Sequence, residues 1–422
     1  MYEFKYKNNE LWCDDISLIE VAEKFGTPLY VYSKRSIIDH CREIEKVFGE
    51  VDHLSCYSVK ANSNLNILEI IAAEGIGADA GSIGELYVAL KAGFPHDKIT
   101  FSGVGKRDDE IEFALQNDIS LFIVESEEEL YIINTIAAKL SKLARIQIRI
   151  NFDISASTHP YISTGEKHNK FGIDQMYAEE IFQKAMELKN IEVLGIHTHI
   201  GSQITNPDIF IESAKAVVDL IKVLRNKSIP VQQLNFGGGF GVQYHDFVKH
   251  KLLPTDDEQI DSKLTTVKLL ESALPVLKES KTKIFIQPGR SIIAHSGVLL
   301  TKVLYRKTTS EKTFIIVDAG MNDLIRPSLY KSYHQISPIT IKNSEYEIVD
   351  VVGPLCESGD YFALNRHLTF VERGDYLSIF CTGAYGYVLS SNYNGRMKPA
   401  EVIVDGDKYS LIRNRQSFKD IE

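Results

Sequence analysis

The runs Cys56-Tyr57-Ser58-Val59-Lys60, Gly77-Ala78-Asp79-Ala80 and Ile99-Thr100-Phe101-Ser102-Gly103 decide the fold. Each is a short strand-like run, and amphipathic stretches with apolar residues at helical spacing lie between and after them, Ile83 to Ala92 and Asp108 to Gln116. Parallel strands joined by crossover helices produce this alternation. It continues through strand-like Ser120 to Glu125, Arg145 to Asn151, Val193 to Gly201, Gln233 to Gly239 and Lys283 to Arg290. Further helix-like segments are Ser126 to Lys142 and Tyr177 to Lys189. Eight such units predict an α/β chain whose residues 34–296 form a (β/α)8 barrel. A doubly wound open sheet is the alternative, because periodicity does not give strand order.

Beyond residue 296 the rhythm changes to closely spaced strand-like runs: Lys312 to Val317, Tyr346 to Val352, Asp375 to Phe380 and Glu401 to Val404. These predict a β-rich, barrel-like second domain over 297–422, which residues 1–33 join to complete the active site. A chain of 422 residues that is 44% hydrophobic can fill two such cores. Its 57 acidic and 47 basic side chains, net charge -10, argue against a nucleic-acid or anionic-membrane partner. The five cysteines are scattered without metal-type spacing, which points to a reducing compartment with neither a disulfide framework nor a zinc site. No signal-like N-terminus and no apolar run of the roughly 20 residues that span a bilayer is present, so a cytoplasmic protein is expected.

Barrel enzymes carry their chemistry at the C-terminal ends of the strands, and unusual residues fall there. Lys60 ends the first run. It either snorkels to solvent or sits in the barrel mouth, where desolvation would lower its pKa and leave an amine able to form a Schiff base. Gly237, Gly238 and Gly239 either make a tight turn or let backbone amides approach an anion, assisted by a following helix N-terminus and by the Ser202 hydroxyl. His197 and His199, two apart on a strand, share a face, from which an imidazole can stack on an aromatic cofactor, serve the core or ligate a metal. A third metal ligand is lacking, so no metal is expected.

Taken together these residues resemble the pyridoxal-phosphate (PLP) decarboxylases of the alanine racemase-like barrel class, and over most of the chain the diaminopimelate decarboxylases. The resemblance rests on Tyr57-Ser58-Val59-Lys60-Ala61-Asn62, His159-Pro160-Tyr161-Ile162, Lys170-Phe171-Gly172, His197-Thr198-His199-Ile200-Gly201-Ser202-Gln203 and the glycine run. It continues in Asp318 to Pro327, Cys356-Glu357-Ser358-Gly359-Asp360 and Gly383-Ala384-Tyr385-Gly386. It implies that Lys60 carries PLP, that His199 stacks on its ring, and that Ser202, Gly237 to Gly239, Gly289 and Tyr385 seat the phosphate. It also implies a homodimer with shared sites, in which Cys356, the proton donor, and Glu357 reach the neighbouring subunit.

Arg290 and Arg326 can each fork onto a carboxylate, Tyr330 and Tyr385 add hydroxyls, and Glu357 can accept from an ammonium. That set suits the distal amino-acid head of meso-diaminopimelate better than ornithine or lysine, whose far end is only an ammonium. Where relatives read Glu-Pro-Gly-Arg, this chain has Gln287-Pro288-Gly289-Arg290. The usual glutamate faces the pyridine nitrogen, and a neutral amide supplies no charge there. Three explanations stay open: a natural variant with a weaker electron sink, a different reaction that needs less ring protonation, or a deliberate substitution that traps a complex; on the first, Gln287→Glu would raise diaminopimelate turnover. Alternatives are a decarboxylase for another amino acid or a carrier-tethered glutamyl group, a racemase, and a non-catalytic protein of the same fold.

Overall fold

The computed structural model describes residues 4–154, 170–244, 265–342 and 345–422. Strands β1 (His53–Ser58), β2 (Gly77–Ala80), β3 (Ile99–Phe101), β4 (Leu121–Val124), β5 (Ala144–Asn151), β6 (Ile191–His197), β7 (Gln233–Asn235) and β8 (Lys283–Ile286) pair in parallel in chain order. β8 returns to β1, with Ile284 opposite His53, so the sheet closes and the open-sheet alternative falls. The expected runs are these strands. A two-residue strand, Ile173–Asp174, adds beside β5. Helices outside and side chains inside bury both faces, which is why β4 reads Leu-Phe-Ile-Val, fully buried, without polar alternation.

The connecting helices start where the sequence supplies caps. Ser82 Oγ accepts from the Glu85 amide at 3.3 Å to open Ile83–Lys91, and Ser126 Oγ accepts from the Glu129 amide at 3.2 Å to open Glu127–Lys139. Each such cap stabilises a helix by about 1 kcal/mol. The long helix Pro207–Asn226 opens with Asn206 as cap and proline in its first turn.

Six strands end earlier than their sequence runs suggest, β4 by one residue, β1 and β3 by two, and β6, β7 and β8 by four. β1, β6, β7 and β8 stop at Ser58, His197, Asn235 and Ile286, because beyond these points the backbone leaves the ladder to build the barrel mouth. Gly237, at φ 69°, marks one departure.

The described residues divide into two compact units: His40–Val242 with Lys263–Ser291, and Met1–Asp39 with Gln243–Ser262 and Ile292–Glu422. In the second, Leu29–Ser33 lies between Gly297–Thr308, antiparallel, and Ala400–Asp405, parallel. Thr313–Val317, Tyr346–Val352 and Tyr361–Thr369 extend the sheet on one side and Lys408–Arg413 on the other, while Tyr376–Ile379 also pairs with Gly297–Thr308. Tyr30 and Tyr32 stack at its centre, 6.2 Å between centroids, and the Tyr32 hydroxyl donates to Glu401 Oε1 at 2.7 Å. Among the described residues no helix is long and apolar enough to cross a membrane.

Strand spacing in the barrel has little slack. A Cβ at Gly195 in β6 would stand 2.0 Å from the Gln233 carbonyl oxygen in β7. Gly195→Ala should therefore cost about 1 to 3 kcal/mol through overpacking, read as a lower Tm; an unchanged Tm would show that the two strands separate freely.

Candidate active site

Lys60 lies in a 3-10 turn, Val59–Ala61, just past the end of β1. The turn is tied to β8 by the Ser58 amide, which donates to the Pro288 carbonyl at 2.9 Å, and by Ser58 Oγ, which donates to the Gln287 carbonyl at 3.1 Å. A Cβ on Gly289 would come within 2.9 Å of Ser58 Cβ and 3.2 Å of Ala61 Cβ, so glycine there keeps room for the lysine's turn. Lys60 itself is exposed. The expected desolvation is thus not supplied by the polypeptide, because the turn carries the side chain beyond the strand.

Below it, the strand ends supply a polar belt. Asp79 of β2 is buried, and its Oδ1 accepts from Thr100 Oγ1 at 2.9 Å, from Ser102 Oγ and from Gln287 Nε2 at 2.8 Å. Burial pushes the Asp79 carboxyl above its ordinary range, opposed by Lys60 and the two hydroxyls. Gln287 Oε1 accepts from His197 Nε2 at 3.0 Å. Burial, then the positive charge of Arg149, drives the His197 pKa down to about 3, so this ring is neutral with its proton on Nε2. Beside the neutral amide of Gln287 the structure places a carboxylate that the sequence reading did not single out: Asp79 is bonded to that amide. Asp79 was missed because one acid within Gly77-Ala78-Asp79-Ala80 looks like an ordinary strand end; the signal was that it is charged where its neighbours are small and apolar.

The glycine run packs more than it cradles. A Cβ on Gly237, Gly238 or Gly239 would meet the carbonyl oxygens of Thr198, Gln287 and Gly201 at 2.4, 2.2 and 2.4 Å respectively. The Gly237 amide donates to Asn235 Oδ1 at 3.0 Å and the Gly238 amide to His199 Nδ1 at 3.1 Å. These two amides are therefore not aimed at an anion, which corrects the expectation for them; the close approach of β6, β7 and β8 uses them internally. The helix dipole expected after the run is not placed, since residues 245–264 lie outside the described residues.

The bond from Gly238 fixes His199 as the neutral tautomer protonated on Nε2, and burial, then Arg149 and Lys60, hold its pKa well below the ordinary value. His197 and His199 serve different partners because β6 ends between them. Buried Arg290 donates through Nη2 to Ser202 Oγ at 3.0 Å, which leaves the serine its own proton to donate.

Glu125 and Arg149, not singled out from sequence, form a buried pair at the ends of β4 and β5, Nη1 to Oε1 2.7 Å. The other oxygen of Glu125 accepts from the Gly172 amide at 2.8 Å, and the guanidinium lies 4.7 Å from the Phe171 ring. Lys170-Phe171-Gly172 is therefore docked on this ion pair, whereas His159-Pro160-Tyr161-Ile162 lies outside the described residues.

In the β-rich unit Arg326 is buried, and its Nε donates to His334 Nε2 at 3.3 Å. His334 Nδ1 lies 2.8 Å from the Phe380 carbonyl and so donates to it, which makes His334 neutral. The guanidinium also stacks 5.0 Å from the Tyr244 ring and 5.8 Å from Tyr330. Tyr385 is half-buried at φ 56°, a conformation rare for a side chain of its size. Cys356 is exposed while Cys13, Cys41, Cys56 and Cys381 are buried, so it is no core residue. Its loop is held by Asp360, which accepts from the Leu355 amide at 2.7 Å and the Met321 amide at 2.6 Å, and by Asn394 Oδ1, which accepts from the Cys356 amide at 3.0 Å. Glu357, also exposed, accepts from the Tyr393 hydroxyl at 3.4 Å.

A family model described as "Pyridoxal-dependent decarboxylase, pyridoxal binding domain" matches residues 34–294, which include every barrel strand. The closed barrel with its strand-end lysine thus falls in the class of pyridoxal-dependent decarboxylases. A curated diaminopimelate decarboxylase from Aquifex aeolicus is 44% identical over 414 residues, 98% of this chain and 95% of the relative. The structure of the Helicobacter pylori diaminopimelate decarboxylase complexed with L-lysine superposes with a TM-score of 0.87 at 42% identity, covering 96% of this chain and 98% of that one. The Methanocaldococcus jannaschii enzyme in co-complex with L-lysine gives 0.90 at 37% identity, covering 99% and 96%. The chain belongs to the diaminopimelate decarboxylase family.

The residues present fit PLP: an exposed amine for its aldehyde, a neutral imidazole for its ring, and a serine held by a buried arginine for its phosphate. His197 also sets a pH response. Below about pH 6.5 the unfolded chain protonates this ring, whereas the folded chain does so only near pH 3. The unfolded state then binds more protons, so stability falls as pH drops through that window, by about 1.4 kcal/mol per pH unit for one proton. His197→Asn should remove that slope, measured as the pH dependence of the urea midpoint; a slope equal to the wild type's would refute the buried neutral ring.

Proposed function

We propose that this protein decarboxylates meso-2,6-diaminopimelate to L-lysine and carbon dioxide, using PLP held by Lys60. The observation that carries the reading is likeness over nearly the whole chain to relatives named diaminopimelate decarboxylase, supported by the fit of the barrel mouth to PLP. Two of the related structures hold L-lysine, the product of that reaction.

When bound, PLP supplies an electron sink for the carbanion left as carbon dioxide departs. The protein's part is binding, orientation and proton delivery. Lys60 provides the covalent anchor, and His199, fixed by the Gly238 amide, offers a flat neutral face to the ring. In this reading Ser202, Gly239, Gly289, Arg290 and Tyr385 serve the phosphate, while Gln287 serves the ring nitrogen. Arg290, Arg326, Tyr330, Tyr385 and Glu357 are assigned to the substrate. The neutral His334 accepts from Nε of Arg326 and so fixes the plane of its guanidinium. Cys356 is the proposed proton donor to Cα. Its exposure, and that of Glu357, suits a loop that serves the site of a second copy, and we assign a cytoplasmic homodimer on that ground and on the scattered cysteines.

Incubation with PLP and meso-diaminopimelate should release L-lysine and carbon dioxide; no lysine from protein carrying bound PLP would reject the substrate. Lys60→Ala should abolish the visible band of protein-bound PLP. Cys356→Ala should keep that band and lower kcat by about 10²- to 10⁴-fold, the usual size of a positioned acid; full activity would remove Cys356 from the reaction. Arg326→Gln should lower kcat/KM for diaminopimelate by at least about tenfold, mostly through KM, and an unchanged KM would place the distal carboxylate elsewhere.

A further inference from the structure

Gln287 occupies the position at which the family it resembles carries a glutamate toward the ring nitrogen of PLP, and its hydrogen-bond capacity is almost fully assigned. Its amide nitrogen has two protons: one goes to Asp79 Oδ1 at 2.8 Å and the other toward Ser102 Oγ at 3.3 Å. Its amide oxygen has two lone pairs, of which His197 Nε2, at 3.0 Å, uses one. The orientation of the amide is not arbitrary. The Thr100 and Ser102 hydroxyls both donate to the same oxygen of Asp79, which makes that oxygen an acceptor and turns the NH2 group toward it. With the NH2 group turned to Asp79, the amide oxygen faces His197, whose neutral ring then carries its proton on Nε2. What remains to Gln287 is one acceptor lone pair.

We propose that Asp79 and Gln287 together do in this chain what a single glutamate does in relatives. Asp79 locks the amide so that only its oxygen can meet the ring nitrogen, and it carries the negative charge that balances that nitrogen in its protonated form. Asp79 is thus a positioning residue acting through Gln287. The inference rests on the PLP reading above and goes beyond it by assigning the charge to β2 instead of β8.

It also reverses the sequence-based expectation for Gln287→Glu. That substitution alone puts two carboxylates within hydrogen-bond distance, where they must share one proton, so it yields no gain. The exchange Asp79→Asn with Gln287→Glu restores one carboxylate and one amide at the same two positions.

The test reads the cofactor, not turnover. PLP labelled with 15N in the ring is bound to the wild type, to D79N, to Q287E and to D79N/Q287E; the ring-nitrogen chemical shift and the PLP dissociation constant are measured. The wild type should show a protonated ring nitrogen. D79N should move the signal to the unprotonated range and weaken PLP binding roughly tenfold, as expected for a lost hydrogen bond to a charged group. The exchange should recover both. If D79N folds poorly, the exchange still decides, because it restores the charge and the bonding pattern together. An unprotonated wild-type nitrogen, a D79N signal like the wild type's, or a well-folded exchange variant that stays unprotonated each overturns the proposal. A wild type that forms no visible PLP band fails the cofactor reading itself, a result distinct from all of these.

Discussion

Asp79 Oδ1 accepts from Thr100, Ser102 and Gln287, and the orientation of every group bonded to it follows from that convergence. Two hydroxyls make the oxygen an acceptor, the acceptor turns the Gln287 amide, the amide turns the proton of His197, and burial keeps that imidazole neutral. Such a chain is possible because closure of the sheet brings the ends of β2, β3, β6 and β8 to one level. In an open sheet β2 and β8 would lie far apart, and a carboxylate on one could not set the amide on the other. A buried polar network of this kind is costly when incomplete and specifies a single arrangement when satisfied.

Around this fixed belt the mouth is built from short connections whose glycines serve backbone approach. Gly289 leaves space for the turn that carries Lys60, and the Gly237 to Gly239 run lets β6, β7 and β8 come together while giving His199 its hydrogen bond. Glu125 and Arg149 do the same for Phe171-Gly172, using charge where the others use the absence of a side chain. Rigid strands thus fix the buried belt, and the connections after them present Lys60, His199 and Ser202 at the barrel mouth.

The barrel was legible because short, largely buried strand runs alternate regularly with helical segments, several of them opened by side-chain caps. Its strand ends were less so: Lys60, His199 and Gly239 look like continuations of strands, yet the ladders stop at Ser58, His197 and Asn235. In the β-rich unit Tyr361–Thr369 was missed because Asn365, at φ 49°, breaks the alternation where the register shifts against Tyr346–Val352. At the site, Lys60, Gln287 and Arg290 were visible as residue types at strand ends. Asp79 was not, because its meaning lies in partners on β3 and β8 that are distant in sequence. The amides of Gly237 and Gly238 were misread for the same reason, since their acceptors, Asn235 and His199, are set by packing that composition does not reveal.

The placement of Leu29–Ser33 has a consequence for how the chain is made. This strand is synthesised before any strand of the barrel, but its sheet partners are residues 297–308 and 400–405. As the chain leaves the ribosome, an apolar strand with both edges unpaired must wait while the whole barrel is translated, and its second edge is covered only once residues 400–405 have emerged. Such an edge is a template for pairing with other chains. The sheet of the β-rich unit therefore closes after the barrel has been made, and emergence of residues 400–405, not of the barrel, removes the last open edge of this strand.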